Sequence, residues 1–301
     1  MATSTRAMTI EYSDLPTVLI FTDDVQGSVP MRQAVEDAGG RIGAVVSIAD
    51  AVERLAVQVK LAAVVVDVRG DSGPAFDALL AEIDRGASRG SFAAVVVVPM
   101  ELVDAAAAAI GSAQVAILCE PTASERSAAV TAAIQKKTES LADVGSGLKE
   151  LADEVARIAK TLATLASEDS GRGIGNGNGL RAPAGQTSDA ALIRAIIRVR
   201  RLREQFFPAD LFADPAWDML LDLTAARLEG RMVAVSSLCI ASAVPPTTAL
   251  RWIKTLTDGK LFERVADSND GRRVFIELTE VAETGMLAYL AQMQRILTLR
   301  Q

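Results

Sequence analysis

The chain has 301 residues, two cysteines, no histidine and a formal net charge of −7. This length accommodates two ordinary domains, each with a core of its own. Without histidine, the sequence excludes zinc sites with histidine ligands, Ser-His-Asp triads and histidine general bases, and two cysteines are too few for a structural zinc site. We expect no metal or other cofactor.

The negative charge is unevenly distributed along the chain. Residues 189–301 contain 15 basic and 14 acidic side chains, whereas residues 1–188 contain 16 and 24. The acidity therefore belongs to the first part of the chain. The locally neutral C-terminal part, with its clustered arginines, remains compatible with a polyanionic partner.

The N-terminal residues MATSTRAMTIEYSDLP do not combine a basic start with an apolar stretch, which argues against a signal peptide. No apolar run reaches the roughly 20 residues that a membrane-spanning helix needs. Cys119 and Cys239 lie in apolar segments, so we expect buried, reduced thiols, with a redox switch as the alternative. We predict a cytoplasmic protein without a membrane partner, beginning with a tail over residues 1–16.

Residues 17–136 alternate short β-branched runs with Ala-rich helical stretches. The predicted strands are 17–22, 43–48, 62–68, 93–99 and 115–121, and the predicted helices are 28–39, 49–58, 74–85, 101–110 and a segment after Pro121. Continuous Val-rich strands separated by helices are typical of a parallel sheet covered on both faces. The pattern predicts an α/β domain with a doubly wound, five-stranded parallel sheet.

Residues 137–166 have a heptad pattern of apolar side chains. Spacings of 3 and 4 alternate through Leu141, Val144, Leu148, Leu151, Val155, Ile158, Leu162 and Leu165. Such a seam, with charged residues outside it, predicts a self-associating coiled-coil helix. The alternative is an amphipathic helix packed on its own domain.

Residues 167–189 have the composition of a flexible linker. The string GRGIGNGNG within it does not match the G-x-G-x-x-G spacing of a dinucleotide-binding turn, and a predicted helix rather than a strand precedes it. We interpret the segment as a hinge.

Residues 190–301 predict a second domain, of α+β class. Predicted helices cover 190–206, 214–229, about 236–243, the segment PPTTALRWIKTL and 280–298, and two predicted strands lie around FERVA and VFIEL. Asp214 and Pro215 suit the N-cap and the first position of the second helix.

The helix in PPTTALRWIKTL has an apolar face and a polar face. Ala249, Trp252, Ile253 and Leu256 share the apolar face. The opposite surface presents Thr247, Thr248, Arg251, Lys254 and Thr255, with Leu250 beside them.

Two short helices of this kind match a helix-turn-helix that enters a DNA major groove, and the two strands after them would form a wing. The candidate DNA-binding residues are Thr247, Thr248, Arg251, Lys254, Thr255, Arg272 and Arg273. Two alternatives are an ordinary solvated helix face and a winged helix that contacts only other proteins.

The strings TTALRWIKTL, LFERV and DSNDGRR followed by Leu-Thr resemble the MarR family of winged helix-turn-helix transcriptional regulators. The resemblance implies that Asp270 and Arg272 form the acidic–basic pair of the wing, and that Arg272 or Arg273 reaches a minor groove or a phosphate. It also implies a homodimer formed by helices 190–206 and 280–298. Lys260 stands where this family has the glycine that ends the recognition helix, and Gly259 comes one residue earlier.

The first domain resembles the receiver domains of response regulators. Asp23 and Asp24 follow the first strand, as that family's metal-binding acids do, and Asp67 ends the third strand, where the phosphoacceptor is found. The expected hydroxyl residue after strand four is replaced by Pro99 or Met100, and the expected lysine by Glu120. We therefore expect a degenerate receiver that serves as a dimerisation or protein-interaction module.

Together these features predict a dimeric, sequence-specific DNA-binding transcriptional regulator that reads a pseudo-palindromic operator on double-stranded DNA and is not an enzyme. One alternative is a phosphorylation-controlled response regulator that uses Asp67. Another is an α/β enzyme whose only candidate groups are Asp23, Asp24 and Asp67.

Overall fold

The computed structural model describes residues 15–58, 61–136, 186–207 and 209–298. The predicted coiled coil at 137–166, nearly all of the predicted tail and most of the predicted linker lie outside the described residues.

The N-terminal domain contains a five-stranded parallel sheet. Its strands are β1 Thr17–Thr22, β2 Arg41–Ser47, β3 Ala63–Asp67, β4 Ala93–Val98 and β5 Val115–Cys119. Their order across the sheet is β2-β1-β3-β4-β5, and every neighbouring pair is parallel. This is the strand order of flavodoxin-like doubly wound folds, so the predicted five-stranded parallel sheet is confirmed.

Helices cover both faces of this sheet. They are α1 Val29–Asp37, α2 Ala51–Ala56, α3 Pro74–Ser88, α4 Val103–Ala109 and α5 at 123–136. Successive strand residues point to opposite faces, so Val18 packs in one core cluster, with side chains of α1 and α5, and Leu19 in another, with side chains of α3 and α4. The predicted alternation of strands and helices is thus confirmed, with shifts of a few residues at the ends.

The C-terminal domain combines five helices with a small antiparallel sheet. The helices are α6 Gln186–Leu202, α7 Pro215–Leu228, α8 Val235–Ala241, α9 Pro246–Asp258 and α10 Glu280–Thr298. The strands are β6 Val233–Ala234, β7 Phe262–Ala266 and β8 Val274–Leu278, in the order β6-β8-β7. The succession α8, turn, α9 and β7–β8 hairpin is the predicted helix-turn-helix with a wing.

Two predicted boundaries of this domain differ from the structure. Helix α6 begins at Gln186, so the last residues of the predicted linker are helical. The same helix ends at Leu202 and continues as the 3₁₀ turn Arg203–Gln205, short of the predicted residue 206. Amphipathic periodicity marks the middle of a helix better than its ends, because end residues are partly exposed.

The ends of α7 and α9 follow local rules. The carboxylate of Asp214 accepts a hydrogen bond from the backbone N–H of Trp217 at 3.3 Å, which confirms it as the N-cap. After α9, Gly259 has a φ of −74° and Lys260 a φ of +59°. The left-handed residue at this helix end is therefore the lysine, at the position where the MarR resemblance expects glycine.

Helix α6 is held to α7 by charged and apolar contacts. The Arg194 guanidinium donates to Asp222 at 2.5 Å and to both oxygens of Glu229 at 3.0 and 3.1 Å. Beside this network, Ile193 and Leu221 are fully buried in a cluster to which α10 also contributes. Among the described residues, no helix has both the length and the apolar character needed to cross a membrane.

The contact of Glu229 with Arg194 makes the free energy of unfolding depend on pH. Hydrogen bonding from Arg194 is the main cause that lowers the pKa of Glu229 from 4.5 to about 2. A lowered carboxylate pKa contributes stability that is present above the unfolded-state pKa and is lost as the pH falls through the folded-state value. We predict that Glu229→Gln lowers the free energy of unfolding at pH 7, and that its difference from wild type shrinks between pH 4.5 and 2.

Urea unfolding at a series of pH values measures this difference. Glu263→Gln, an exposed carboxylate on β7, is the control and should show no comparable change. A difference between wild type and Glu229→Gln that stays constant down to pH 2 would contradict the prediction.

Candidate nucleic-acid interface

The two domains share one apolar core. A single cluster of buried side chains includes Val103, Ala107 and Cys119 of the N-terminal domain together with Leu238 and Leu250 of the C-terminal domain. Helices α8 and α9 therefore have apolar partners on two sides. The helix-turn-helix lies between the core of its own domain and the helices and sheet edge of the other.

The side chains of α9 that are buried differ in part from those that the sequence predicts. Ala249, Ile253 and Leu256 are buried as expected, but Trp252 is 38% exposed. Leu250 and Thr247, on the predicted DNA-facing surface, are buried instead. The reason is the N-terminal domain, which covers the first turns of this helix.

Thr247 makes the most enclosed polar contact between the domains. The residue is only 2% exposed to solvent. Its hydroxyl donates to the carbonyl oxygen of Cys119 at 2.8 Å and accepts from the backbone N–H of Cys119 at 3.0 Å. Because β5 is an edge strand, the backbone groups on its open side need partners outside the sheet, and Thr247 supplies both for this residue.

Helix α8 is capped by the other domain. Its own N-cap residue, Ala234, has no side-chain hydrogen bond to offer. The carboxylate of Asp104 on α4 accepts from the backbone N–H of Ser236 at 2.9 Å and from its hydroxyl at 2.6 Å. An acidic group at a helix N-terminus also interacts favourably with the helix dipole, so Asp104 acts as a cap supplied in trans by the neighbouring domain.

The wing is also held by the N-terminal domain. The Arg272 guanidinium donates to both oxygens of Asp71 at 3.0 and 3.2 Å, and its Nε lies 3.1 Å from a carboxylate oxygen of Asp77. Hydrogen bonding with Arg272 is the main cause that lowers the pKa of Asp71, and the same contact raises the pKa of Arg272. A guanidinium expected to contact DNA is therefore neutralised by two carboxylates of the same chain.

The expected pairing of Asp270 with the Arg272 guanidinium is corrected by the structure. The Asp270 carboxylate accepts from the backbone N–H of Arg272 at 2.9 Å, and its carbonyl accepts from the N–H of Arg273. Asp270 thus shapes the turn through the backbone. The side chain of Arg273 lies over the ring of Phe275, 5.5 Å from its centroid, and stays exposed.

The remaining candidate residues of α9 are more accessible. Arg251, Lys254 and Thr255 are exposed, and Thr248 is half-buried. Lys254 pairs with Asp258 at 3.4 Å, and the Thr255 hydroxyl donates back to the carbonyl of Arg251. The structure therefore brings all the candidates to one helix and one hairpin, but covers Thr247 and pairs Arg272.

Both cysteines are buried at or near this interface, and both are free thiols, as expected from the sequence. Burial raises the pKa of Cys119 to about 11 and that of Cys239 to about 12. Reaction with thiol reagents needs the thiolate and access to it, so both groups are inert while the domains are packed together.

The carboxylates of the predicted receiver site are engaged by protein groups. Asp23 accepts from the backbone N–H groups of Arg69 and Gly70, and the Arg69 guanidinium lies 3.0 Å from Asp24. Burial raises the pKa of Asp67. In the part of the chain that the structure describes, no group of side chains is arranged to hold a metal ion. The positive charges that act on Asp67 are those of Arg126 and Arg69.

Several interface residues were not predicted from the sequence. Asp71, Asp77, Asp104, Ser236 and Arg264 all make contacts between the domains. Each is an ordinary polar residue in its local sequence. The only local signal was Leu250, an apolar side chain on the polar side of α9.

Comparisons with known proteins give partial structural similarity. No protein-family model and no curated protein matches the chain. Among solved structures, the chain is similar to S. aureus MepR bound to ethidium bromide, with 20% identity and a TM-score of 0.26 over 37% of this chain and 81% of that chain.

Two further structures are similar to a comparable extent. For Bordetella bronchiseptica BpsR, whose DNA binding is regulated by 6-hydroxynicotinic acid, the identity is 22% and the TM-score 0.22, over 36% of this chain and 82% of that chain. For the adhesin competence repressor AdcR of Streptococcus pyogenes, the identity is 18% and the TM-score 0.24. The match covers 40% of this chain and 80% of that chain. Scores of this size do not establish a family for the chain.

Because the Thr247 hydroxyl holds the two domains together, its loss should let them separate more readily. Thr247→Val keeps the shape of the side chain but leaves the N–H and carbonyl of Cys119 without partners, a loss of about 1–3 kcal/mol. We predict that alkylation of Cys119 under native conditions accelerates about 5- to 150-fold, since about 1.4 kcal/mol corresponds to tenfold. Mass spectrometry of the Cys119 peptide measures the rate.

Thr248→Val is the matched control, because the neighbouring Thr248 is half-buried and its hydroxyl makes no hydrogen bond among the described residues. Its labelling rate should stay close to that of wild type. Equal rates for the two variants would contradict the role given to Thr247.

Proposed function

We propose that the chain is a sequence-specific DNA-binding transcriptional regulator that uses α9 as its recognition helix and the β7–β8 hairpin as its wing. The observation that carries this proposal is the helix-turn-helix followed by a hairpin, with basic side chains on both parts. Arg251 and Lys254 lie one turn apart on α9, and Arg272 and Arg273 lie at the tip of the hairpin. This is the geometry with which such motifs contact base edges and phosphates.

In this proposal, DNA binding and domain docking exclude each other. The first turn of α9 is enclosed by the N-terminal domain at Thr247, and Arg272 is occupied by Asp71 and Asp77. A recognition helix enters a major groove with its N-terminal residues, so the N-terminal domain must move away first. Only the undocked fraction binds DNA, and the apparent affinity falls in proportion to that fraction.

The N-terminal domain then serves as an interaction module whose partner is the winged helix of the same chain. Its two carboxylates at Asp71 and Asp77 take the place that DNA phosphates would take beside Arg272. The degenerate receiver-like site suits this role, because the Arg69 guanidinium pairs with Asp24 and the Asp23 carboxylate accepts from the backbone N–H of Arg69.

We propose that the regulator acts as a homodimer. Large apolar side chains are exposed at the end of α6 and just after it, namely Val199, Leu202, Phe206, Phe207, Leu211 and Phe212. Helix α10 adds Val281, Tyr289 and Ile296. An apolar surface of this kind on the first and last helices favours a second copy as its partner. Two winged helices related by a two-fold axis would contact half-sites about 10 base pairs apart.

Genome-wide mapping of bound DNA, followed by footprinting of one bound site, tests the proposed function. We predict that Arg251→Gln weakens binding to that site by about 1–3 kcal/mol and relaxes the preference for one base, because a guanidinium of α9 contacts a base edge. Affinity must be compared at one salt concentration, since phosphate contacts make binding strongly salt-dependent.

Arg89→Gln is the matched control, because it removes the same charge from an exposed arginine of the N-terminal domain. It should leave the base preference unchanged. Two results would contradict the proposal: an Arg251→Gln variant with unchanged affinity and base preference, or a wild-type protein that prefers no genomic fragment.

A further inference from the structure

A cavity lies between the two domains, beside the recognition helix. Its walls come from α4, β5 and α5 of the N-terminal domain and from α9 and β7 of the C-terminal domain. Its volume is about 650 Å³. Sites for small organic molecules are typically about 300–1,000 Å³, so the space suits one such molecule.

Small apolar side chains create this space. Helix α5 contributes Ala128, Ala129 and Ala132, and strand β5 contributes Ala116. Elsewhere the two domains pack their larger side chains into one core, but here alanines leave a gap. Apolar walls hydrate poorly, which favours the apolar part of a ligand over water.

Two guanidinium groups in the cavity wall form no ion pair within the described ranges. The Arg251 guanidinium makes no hydrogen bond or ion pair among the described residues. Arg264 donates to the carbonyl of Ile110 at 2.9 Å and has no carboxylate within ion-pair distance in the described part of the chain. Partial burial of the guanidinium lowers the pKa of Arg264, while the residue as a whole stays exposed.

The acidic groups near the cavity are engaged elsewhere. Asp258 pairs with Lys254 at 3.4 Å. One carboxylate oxygen of Glu125 accepts from the backbone N–H and the hydroxyl of Thr122, both at 2.8 Å. Asp84, the acid whose charge acts on Arg264, accepts from the N–H groups of Gly111 and Ser112. These carboxylates keep their charge, but none of them forms an ion pair with Arg251 or Arg264 in the described part of the chain, so both guanidinium groups can still pair with an anion.

We propose that this cavity binds a small apolar organic anion, with its acidic group on Arg251 and Arg264 and its apolar body against the alanines of α5. Charge-assisted hydrogen bonds from guanidinium groups are strong and directional, and the apolar wall supplies the rest of the affinity. The ligand contacts both domains, so it stabilises the docked arrangement. In the proposed function, on which this consequence rests, the ligand therefore weakens DNA binding.

The experiment uses two fluorescent probes of similar shape, the anionic 1-anilinonaphthalene-8-sulfonate and the neutral N-phenyl-1-naphthylamine. The sulfonate should bind the full chain saturably, one per chain, and Arg264→Gln and Arg251→Gln should each weaken it about tenfold or more. The neutral probe should bind more weakly and should not respond to either arginine. Ala128→Trp should weaken the binding of both probes about tenfold or more, because the indole ring occupies part of the wall against which the apolar body of the probe packs.

Arg89→Gln and Ala81→Trp make the same chemical changes at exposed positions of α3 and its C-terminal end, away from the cavity wall. These controls should bind the sulfonate as wild type does, and a thermal unfolding scan of each variant shows that it is folded. Sulfonate binding that is unchanged in Ala128→Trp overturns the site. Equal binding of the two probes overturns the requirement for an anion.

The rate of Cys119 alkylation tests the stabilising effect without DNA. At a sulfonate concentration ten times its Kd, a ligand specific for the docked state should slow labelling about elevenfold. An unchanged rate overturns the proposed stabilisation. None of these measurements uses DNA. The ligand site is therefore tested independently of DNA binding, and either proposal can fail without the other.

Discussion

The pair of hydrogen bonds between the Thr247 hydroxyl and the backbone of Cys119 is the constraint on which the arrangement of the two domains depends. It joins the open side of an edge strand to the first turn of α9, and it is buried on both sides. Buried backbone groups are costly to leave without partners, so this contact fixes where the helix starts relative to the sheet. Once α9 is placed, Asp104 meets the N-terminus of α8, and the wing meets Asp71 and Asp77.

The contacts between the domains differ in strength. The apolar cluster and the Thr247 bonds are buried, whereas Arg272, Asp71 and Asp77 have side chains 40%, 44% and 42% exposed. Exposed ion pairs contribute only about 0.2–1 kcal/mol each and are weakened by salt. The buried contacts therefore hold the domains together. The ion pairs of Arg272 with Asp71 and Asp77 add a smaller contribution to the free energy of docking. They also keep the Arg272 guanidinium paired while the domains are docked.

Much of the fold could be predicted from the sequence, because its signals are local. Val-rich runs between Ala-rich stretches locate the five strands to within about two residues, and Asp214 with Pro215 marks the start of α7. The hairpin after α9 follows from the alternating residues on either side of a polar turn. The receiver-like character of the first domain, the coiled coil and the homodimer stay predictions.

The placement of the candidate site could not be predicted in the same way. Thr247 and Cys119 are 128 positions apart, and Arg272 and Asp71 are 201 positions apart. Periodicity shows which face of a helix is apolar, but it does not show which element covers the other face. Thr247 has the same local sequence signal whether it faces DNA or the end of β5. Leu250 was the one side chain that indicated a second apolar partner.

In the function that we propose, docking of the N-terminal domain competes with DNA. The most direct measurement is the DNA affinity of the double variant Asp71→Asn/Asp77→Asn, which changes no residue of the winged helix. The loss of two exposed ion pairs, about 0.4–2 kcal/mol together, should tighten binding about 2- to 30-fold at fixed salt. Asp37→Asn/Asp50→Asn, with the same change of charge on exposed residues of the same domain, controls for net charge. If the Asp71/Asp77 variant bound DNA no more tightly than this control, docking would not compete with DNA through these two carboxylates.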